Sequence, residues 1–332
     1  MPSIDRTLVQ ILRLLKEKQG DSVSGTSLAS RLHLSRTSVW KHIKNLRSLG
    51  YDILSHPKEG YKLTGIPNLL IPEEILPHLN TSWLARSYHH YAQIDSTNDE
   101  ALRLAAQGAE HGTAVVAEEQ TKGRGRLQRL WVSPAGCGIY LSMILRSPLL
   151  VQQAPQPAMV VGLALVKMLQ EKYGLEAAIK WPNDVLVRGK KLAGILADMQ
   201  SDQDYTRFIV VGIGINVNYK EDDFSEPLRY PATSLALELD VPVRRQQVLL
   251  DLIHRFETEY EYFLENGFGA ILPEYERASA ILGRHLTLQS GKEVLSGKAL
   301  GFTSEGALRL LTADGQEKVL WVGDVLRVEG CS

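Results

Sequence analysis

Cysteine is almost absent from this chain of 332 residues, and the two present, Cys137 and Cys331, lie far apart. That excludes a disulfide framework and a cysteine-based zinc site. Long apolar runs are missing too. The longest, around Met159 to Val166, ends at Lys167 and is too short to span a bilayer. The first residues carry Asp5 and Glu17 and hold no cleavable apolar core, so no secretory signal is expected and a reducing cytoplasm is the simplest location. Nor does one sign of charge dominate, with 37 Lys+Arg against 38 Asp+Glu. A hydrophobic content of 44% and a charged content of 23% exclude a disordered or collagen-like chain. The length fits two or three domains.

The even balance hides an asymmetry. Residues 1–65 hold 11 Lys+Arg and 5 Asp+Glu, a net of +6, while the remainder carries a net of −7. A basic head on a mildly acidic body is a footprint of nucleic-acid binding. Residues 5–19 read as an amphipathic helix with Leu8, Ile11, Leu12 and Leu15 at helical spacing, followed by Gly20. Thr26 can cap a second short helix carrying Leu28, Ala29 and Leu32. Ser35 caps a third, whose apolar face is Val39, Ile43 and Leu46. Its other face offers Arg36, Thr37, Ser38, Trp40, Lys41, Lys44 and Arg47, and Gly50 ends it. Strands at Tyr51–Ser55 and Tyr61–Leu63 follow, around a His56–Gly60 turn. Three helices and a hairpin are the parts of a winged helix-turn-helix, in which the third helix enters the major groove. Arg36, Thr37 and Ser38 are the candidates for base edges; Lys41, Lys44 and Arg47 are the candidates for phosphates. Gly65 to Asn68 reads as a linker.

Beyond it, Asp95-Ser96-Thr97-Asn98 stands at the start of a helix over residues 98–106, where a Ser-Thr pair is also an ordinary cap. A strand over Thr113–Glu118 runs into Gln120-Thr121-Lys122-Gly123-Arg124-Gly125-Arg126. Glycines let backbone approach a ligand, and spaced guanidinium groups clamp phosphate or carboxylate oxygens. Such a run repels itself and is expected to stay mobile until an anion arrives. Lys180-Trp181-Pro182-Asn183-Asp184 sits between a helix (Val160 to Lys172) and a strand (Val185 to Val187), with Lys191 just downstream, before Leu192-Ala193-Gly194. A further strand, Phe208–Gly212, runs into Ile213-Gly214-Ile215-Asn216. Its Gly212-x-Gly214 is no dinucleotide fingerprint, because Val217 replaces the third glycine and no helix pattern follows. Gly291 to Lys298 is likewise no phosphate loop, with the wrong glycine gap and Ala299 in place of a hydroxyl. From about Gly283 onward, alternating strands at Val294–Leu300, Leu308–Leu311 and Val319–Val322, with turns at Ser290-Gly291, Glu305-Gly306 and Asp314-Gly315, point to a small antiparallel barrel.

Taken together, Asp95 to Asn98, Gly123 to Arg126, Trp131, Lys180 to Asp184, Lys191 to Gly194 and Gly214-Ile215-Asn216, in this order and behind a winged head, resemble the bifunctional biotin–protein ligases that also repress the biotin operon. The resemblance covers essentially the whole chain. It implies an α+β multidomain fold: a winged helix-turn-helix over residues 1–65, a central mixed-sheet α/β ligase domain over 66–278, and an SH3-like β-barrel over 279–332. It implies an adenylate-forming biotin–[acetyl-CoA-carboxylase] ligase: the biotin carboxylate attacks the α-phosphate of ATP, and an acceptor lysine then displaces AMP. Lys191, Arg124, Arg126, Asp184 and Lys180 are its expected catalytic groups, since opposed anions need cations to meet. Ser96, Thr97, Asn98, Gln120, Gly123, Arg124, Lys191 and Gly194 are expected to bind biotin, with Trp131 walling the apolar part of that pocket. Arg126, Trp131, Asn183 and Asn216 are expected to bind ATP, with magnesium accompanying it and no protein metal ligand assigned. Expected partners are the biotin carboxyl carrier protein of acetyl-CoA carboxylase, operator DNA and, in the biotinyl-AMP-bound form, a second copy of the chain.

The chain departs from the family pattern twice. Leu127-Gln128 stands where many relatives continue the basic loop with Arg-Gly. Pro231-Ala232-Thr233-Ser234-Leu235 stands where some repressors stack adenine on a tryptophan, which leaves the adenine wall unassigned. Two other readings are open at this point: a ligand-sensing regulator without catalysis, and a lipoate-type ligase sharing the adenylation logic.

Overall fold

The computed structural model describes residues 6–18, 20–224 and 230–329, and the chain divides into two compact units, Met1–Pro77 and His78–Ser332. Asp5, Gln19 and Cys331 lie outside the described residues. In the first unit α1 (Arg6–Glu17), α2 (Gly25–Leu32) and α3 (Arg36–Ser48) precede β1 (Asp52–His56) and β2 (Gly60–Gly65), which pair antiparallel as a hairpin. The period-3.6 positions of the sequence make the core: Leu8, Ile11, Leu12, Leu15, Leu28, Val39, Ile43 and Leu46 close on one another. The predicted cap of α3 is in place, Ser35 accepting from the Ser38 N–H at 3.0 Å. The cap of α2 is Ser24 instead of Thr26: Ser24 is the extended residue whose hydroxyl accepts from Ser27.

The unit also extends past the expected linker. Ile71 joins the core, and Glu74, on the short α4 (Pro72–Ile75), is buried. It takes two bonds from Lys16, at 2.8 and 2.9 Å, and one from the Tyr51 hydroxyl. Burial, then Glu74, pushes the Tyr51 phenol well up.

The second unit is built on a mixed seven-stranded sheet. Its strands are β3 (Tyr88–Tyr91), β4 (Ala114–Ala117), β5 (Gly138–Leu145), β6 (Ala177–Lys180), β7 (Asp184–Val187), β8 (Lys190–Asp202) and β9 (Tyr205–Asn216), in the order β3-β4-β5-β9-β8-β7-β6. Helix α5 (Thr97–Ala106) covers part of one face, packing Ala101 and Ala105 on Val115, Ile144, Phe208 and Val210. The long apolar α6 (Gln156–Tyr173) lies on the other face, where Gly162 meets Ile195. Short α7 (Leu235–Leu239), α8 (Arg245–Asn266) and α9 (Phe268–Arg277) follow. Among the described residues no helix is long and apolar enough to cross a membrane.

The C-terminal strands β10 (His285–Ser290), β11 (Glu293–Phe302), β12 (Leu308–Thr312), β13 (Glu317–Leu320) and β14 (Asp324–Val328) form one antiparallel sheet, ordered β13-β12-β11-β10-β14. Only Trp321, Val322 and Gly323 join β13 to β14, yet these are its opposite edges. Flat, at about 4.8 Å per strand, the edges would stand roughly 19 Å apart. The connection reaches about 14 Å, so the sheet must curl. No ladder joins the two edges, and the expected barrel is an open one. Trp321 and Val322, read as strand, fall in the connection, and β14 carried no signal that was read.

Candidate functional sites

The period of two along β9 puts Phe208, Val210, Gly212, Gly214 and Asn216 on one face; the body of α5 covers the first two, and its first turn reaches Gly212 through Asn98. Register then aligns Ser142 of β5 and Leu196 of β8 with Gly212, and Tyr140 and Gly194 with Gly214. Beyond the helix the floor is therefore glycine. A Cβ on Gly212 would fall 1.9 Å from Asn98 Oδ1, and one on Gly214 would fall 2.5 Å from the Trp131 indole. These glycines exist to let Asn98 and Trp131 lie on the sheet. The result is a cavity of about 370 Å³ between this floor and the arginine loop.

At one end stands a neutral network. Ser96 caps α5, accepting from Asp99. Thr97 donates its N–H (2.8 Å) and its hydroxyl (3.1 Å) to Gln120 Oε1, and Gln120 Nε2 donates to Ser133. The single Ser142 hydroxyl hydrogen is shared between Thr97 Oγ1 at 2.8 Å and Asn98 Oδ1 at 2.6 Å. Around the rest of the cavity stand cations, each against an acid or a carbonyl, with Arg124 beside the neutral network: its partner Asp198 also accepts from Asn98 Nδ2 at 2.9 Å. Arg124 reaches Asp99 at 2.7 Å and Asp198 at 3.0 Å. Burial opposes its charge, but these two acids outweigh burial and hold it above the ordinary arginine value. Lys191 pairs with Asp184 at 2.7 Å, and its Nζ lies 5.3 Å from the Trp131 ring. Arg126 donates to the Gly323 carbonyl at 2.9 Å, and burial lowers its pKa. Arg129 pairs with Asp324 at 2.5 Å. The self-repulsion expected of this loop is thus offset by partners. Trp131 Nε1 is buried with no hydrogen-bond partner among the described residues.

Three family models match the chain: the biotin/lipoate A/B protein ligase family over residues 91–216, an HTH domain over 7–62, and the biotin protein ligase C-terminal domain over 281–327. The bifunctional ligase/repressor BirA of Bacillus subtilis is 36% identical over 309 residues, 93% of this chain and 95% of that protein. The chain belongs to the biotin protein ligase family. BirA of Escherichia coli is 32% identical over 308 residues, covering 92% of each chain. A solved biotin protein ligase from Aquifex aeolicus, in complex with biotin and ATP, is 30% identical with a TM-score of 0.63, over 74% of this chain and all of that one.

In this ligase-family chain Ser96, Thr97, Asn98, Gln120, Arg124, Arg126, Trp131, Asn183, Asp184, Lys191, Gly194 and Asn216 all line the cavity. Two expected residues do not. Gly123 lies beneath the loop, where a Cβ would stand 2.5 Å from the Trp131 carbonyl and 2.6 Å from Ser133 Oγ, so it serves packing. Lys180 is buried, with its Nζ 2.9 Å from the centre of the Tyr230 ring; it supports the wall from outside the cavity. Sequence reasoning missed Tyr230, Ala232, Tyr219 and Phe224 on the side left without an adenine wall. The segment around Ala232 is bonded to Lys191 through Pro231 and Thr233, and Tyr219 stacks on Phe224 at 5.4 Å. Asp324, from the C-terminal sheet, was missed as well. The aromatic residues Tyr219, Phe224 and Tyr230 upstream of Pro231 were the available signal for the first group; nothing local marked Asp324.

On the head, α3 exposes Arg36, Thr37, Trp40, Lys41, Lys44 and Arg47, with Ser38 half-buried at the cap. Arg36, Lys41 and Lys44 form no ion pair among the described residues. Arg47 differs: it donates to the Ile53 carbonyl (2.5 and 2.9 Å) and to the Ser55 hydroxyl (2.7 Å). Its guanidinium ties the recognition helix to the wing instead of standing free for a phosphate.

Proposed function

We propose that the chain attaches biotin to a lysine of the biotin carboxyl carrier protein through biotinyl-5′-AMP, and that its adenylate-bound homodimer binds operator DNA and represses biotin synthesis genes, in the cytoplasm. The observation that carries this is the convergence of Lys191, Asp184, Arg124 and Arg126 with the Thr97–Gln120 network on one cavity. The names borne by the relatives support the same reading.

The neutral end suits the ureido ring, whose donors and acceptors lose their water bonds on burial and need replacements. Ser96, Thr97, Gln120 and Arg124 would provide them, and Trp131, on its glycine floor, would cover the apolar part. The carboxylate tail then points toward the cations. Arg126 and Lys191 offer charge to the incoming oxygens as the carboxylate bonds to the α-phosphorus and the bond to pyrophosphate breaks. Asn183 and Asn216 face the same space. Tyr230, Phe224 and Tyr219 supply aromatic surface for the adenine. In the second step the acceptor amine attacks the acyl carbon and AMP leaves with the bonding pair. Asp184 is the carboxylate beside that centre that can take the amine's proton. A closed pocket protects the anhydride from water.

Magnesium is expected with the nucleotide. Among the described residues no cluster of three or more metal-binding side chains exists, and Asp184 and Asp324 are already paired to cations. An ion carried on the triphosphate would neutralise the departing pyrophosphate.

Differential affinity is required for regulation: the adenylate must favour the dimer, or it cannot shift DNA occupancy. The test is biotinylation of an acceptor domain by the full chain with biotin and ATP, followed by an operator gel shift with and without those ligands. Transfer of biotin and a ligand-dependent shift are expected. A shift without transfer leaves a sensor, and adenylate formation that prefers lipoate to biotin replaces the substrate.

A further inference from the structure

Trp40 is the large apolar side chain that α3 leaves in solvent. It is 51% exposed, while Val39, Ile43 and Leu46 on the same helix are buried. Helical spacing puts Arg36, Trp40 and Lys44 on one stripe, with Thr37 and Lys41 beside it, so the indole sits in the middle of a basic face. The α3 sequence contains no acid. Lys44 Nζ lies 5.7 Å from the centre of the ring, a cation–π contact along the helix. The exposed half of the indole is apolar area that a partner can cover. The cations around it say what that partner is: a polyanion. On a duplex, the apolar group that the major groove presents is the C5 methyl of thymine.

We propose that Trp40 reads thymine through that methyl group, while Lys41 and Lys44 hold the flanking phosphates. This rests on the DNA-binding reading above and adds a sequence preference to it. The indole carries no charge for a phosphate, and its N–H only donates. Its contribution is therefore discrimination at one position of each half-site, separate from the salt-dependent attraction of the lysines.

The experiment uses the full chain with biotin and ATP to select duplexes from a pool with a randomised core. The wild type is expected to enrich sites with a fixed thymine, and Trp40→Phe, which keeps a ring, to enrich the same thymine. Trp40→Ala, with an unchanged far-UV spectrum and melting temperature, is expected to lose that position and to bind the enriched site about tenfold more weakly. Replacing the thymine by deoxyuracil, which lacks only the methyl, should weaken the wild type by a similar factor and leave Trp40→Ala unaffected. If Trp40→Ala enriches the same thymine, or uracil weakens both proteins equally, the proposal is wrong and the DNA-binding reading survives. If the wild type enriches nothing, both fall together.

Discussion

The cations of the head and those of the cavity are arranged in opposite ways. On α3, Arg36, Lys41 and Lys44 stand in solvent without acids, around an exposed indole. Around the cavity, Arg124 leans on Asp99 and Asp198, Lys191 on Asp184 and Arg129 on Asp324. A long polyanion arrives with many charges at once and is met by groups that need only shed counterions. A single carboxylate and one nucleotide need cations already placed, and placing several of them in a half-buried loop requires acids to hold them apart until the ligands come. The same residue types thus serve recognition of a surface in one unit and the meeting of two small anions in the other.

Salt is the broadest way to separate the two. For six to ten phosphate contacts, DNA affinity is expected to fall roughly 10³- to 10⁵-fold between 50 and 200 mM salt. Adenylate formation, read as pyrophosphate release, should change only a few-fold, because partly buried pairs are screened less. Equal salt dependence would erase the distinction. Next in size, Lys191→Ala should slow adenylate formation about 10²- to 10³-fold with the far-UV spectrum intact; retained activity would remove Lys191 from the site. Smaller still, Gly214→Ala places a methyl 2.5 Å from the indole, so Trp131 must leave its floor. The Kd for ATP, by calorimetry, should rise about tenfold, whereas Gly269→Ala, where nothing lies within 4 Å, should leave it unchanged. Smallest is Arg47→Ala. It should destabilise the head by about 1 kcal/mol through its lost wing contacts and leave the salt slope of DNA binding as it was, while Lys41→Ala lowers that slope by about 0.9. A drop in slope for Arg47→Ala would return it to the phosphates.

What the sequence disclosed follows the range of the interactions involved. Caps and amphipathic faces are local, so Ser35, Ser96 and the core of the three helices could be read directly. The motif glycines and cations could be read as a set, because their order along the chain is distinctive. Partners could not. Arg129 meets Asp324 across 195 positions, and no spacing rule encodes such a pair. Arg47 and Lys180 were assigned by residue type, and each found a closer engagement, with the wing carbonyl and with Tyr230. The Gly212-x-Gly214 pair lacks the third glycine of a dinucleotide fingerprint. Its real use, a floor without side chains, follows from strand period and register once the sheet is known.

The buried grip of Lys16 and Tyr51 on Glu74 has a practical side. Anyone preparing a headless enzyme would be drawn to cut at Gly65, where the hairpin stops. That cut strands Ile71 and Glu74 on the surviving polypeptide, one greasy and one charged, both robbed of their cover. Such a stub invites clumping, and lost turnover would be blamed on the missing head when the scissors were at fault. Cutting after Pro77 removes the clasp together with what it clasps.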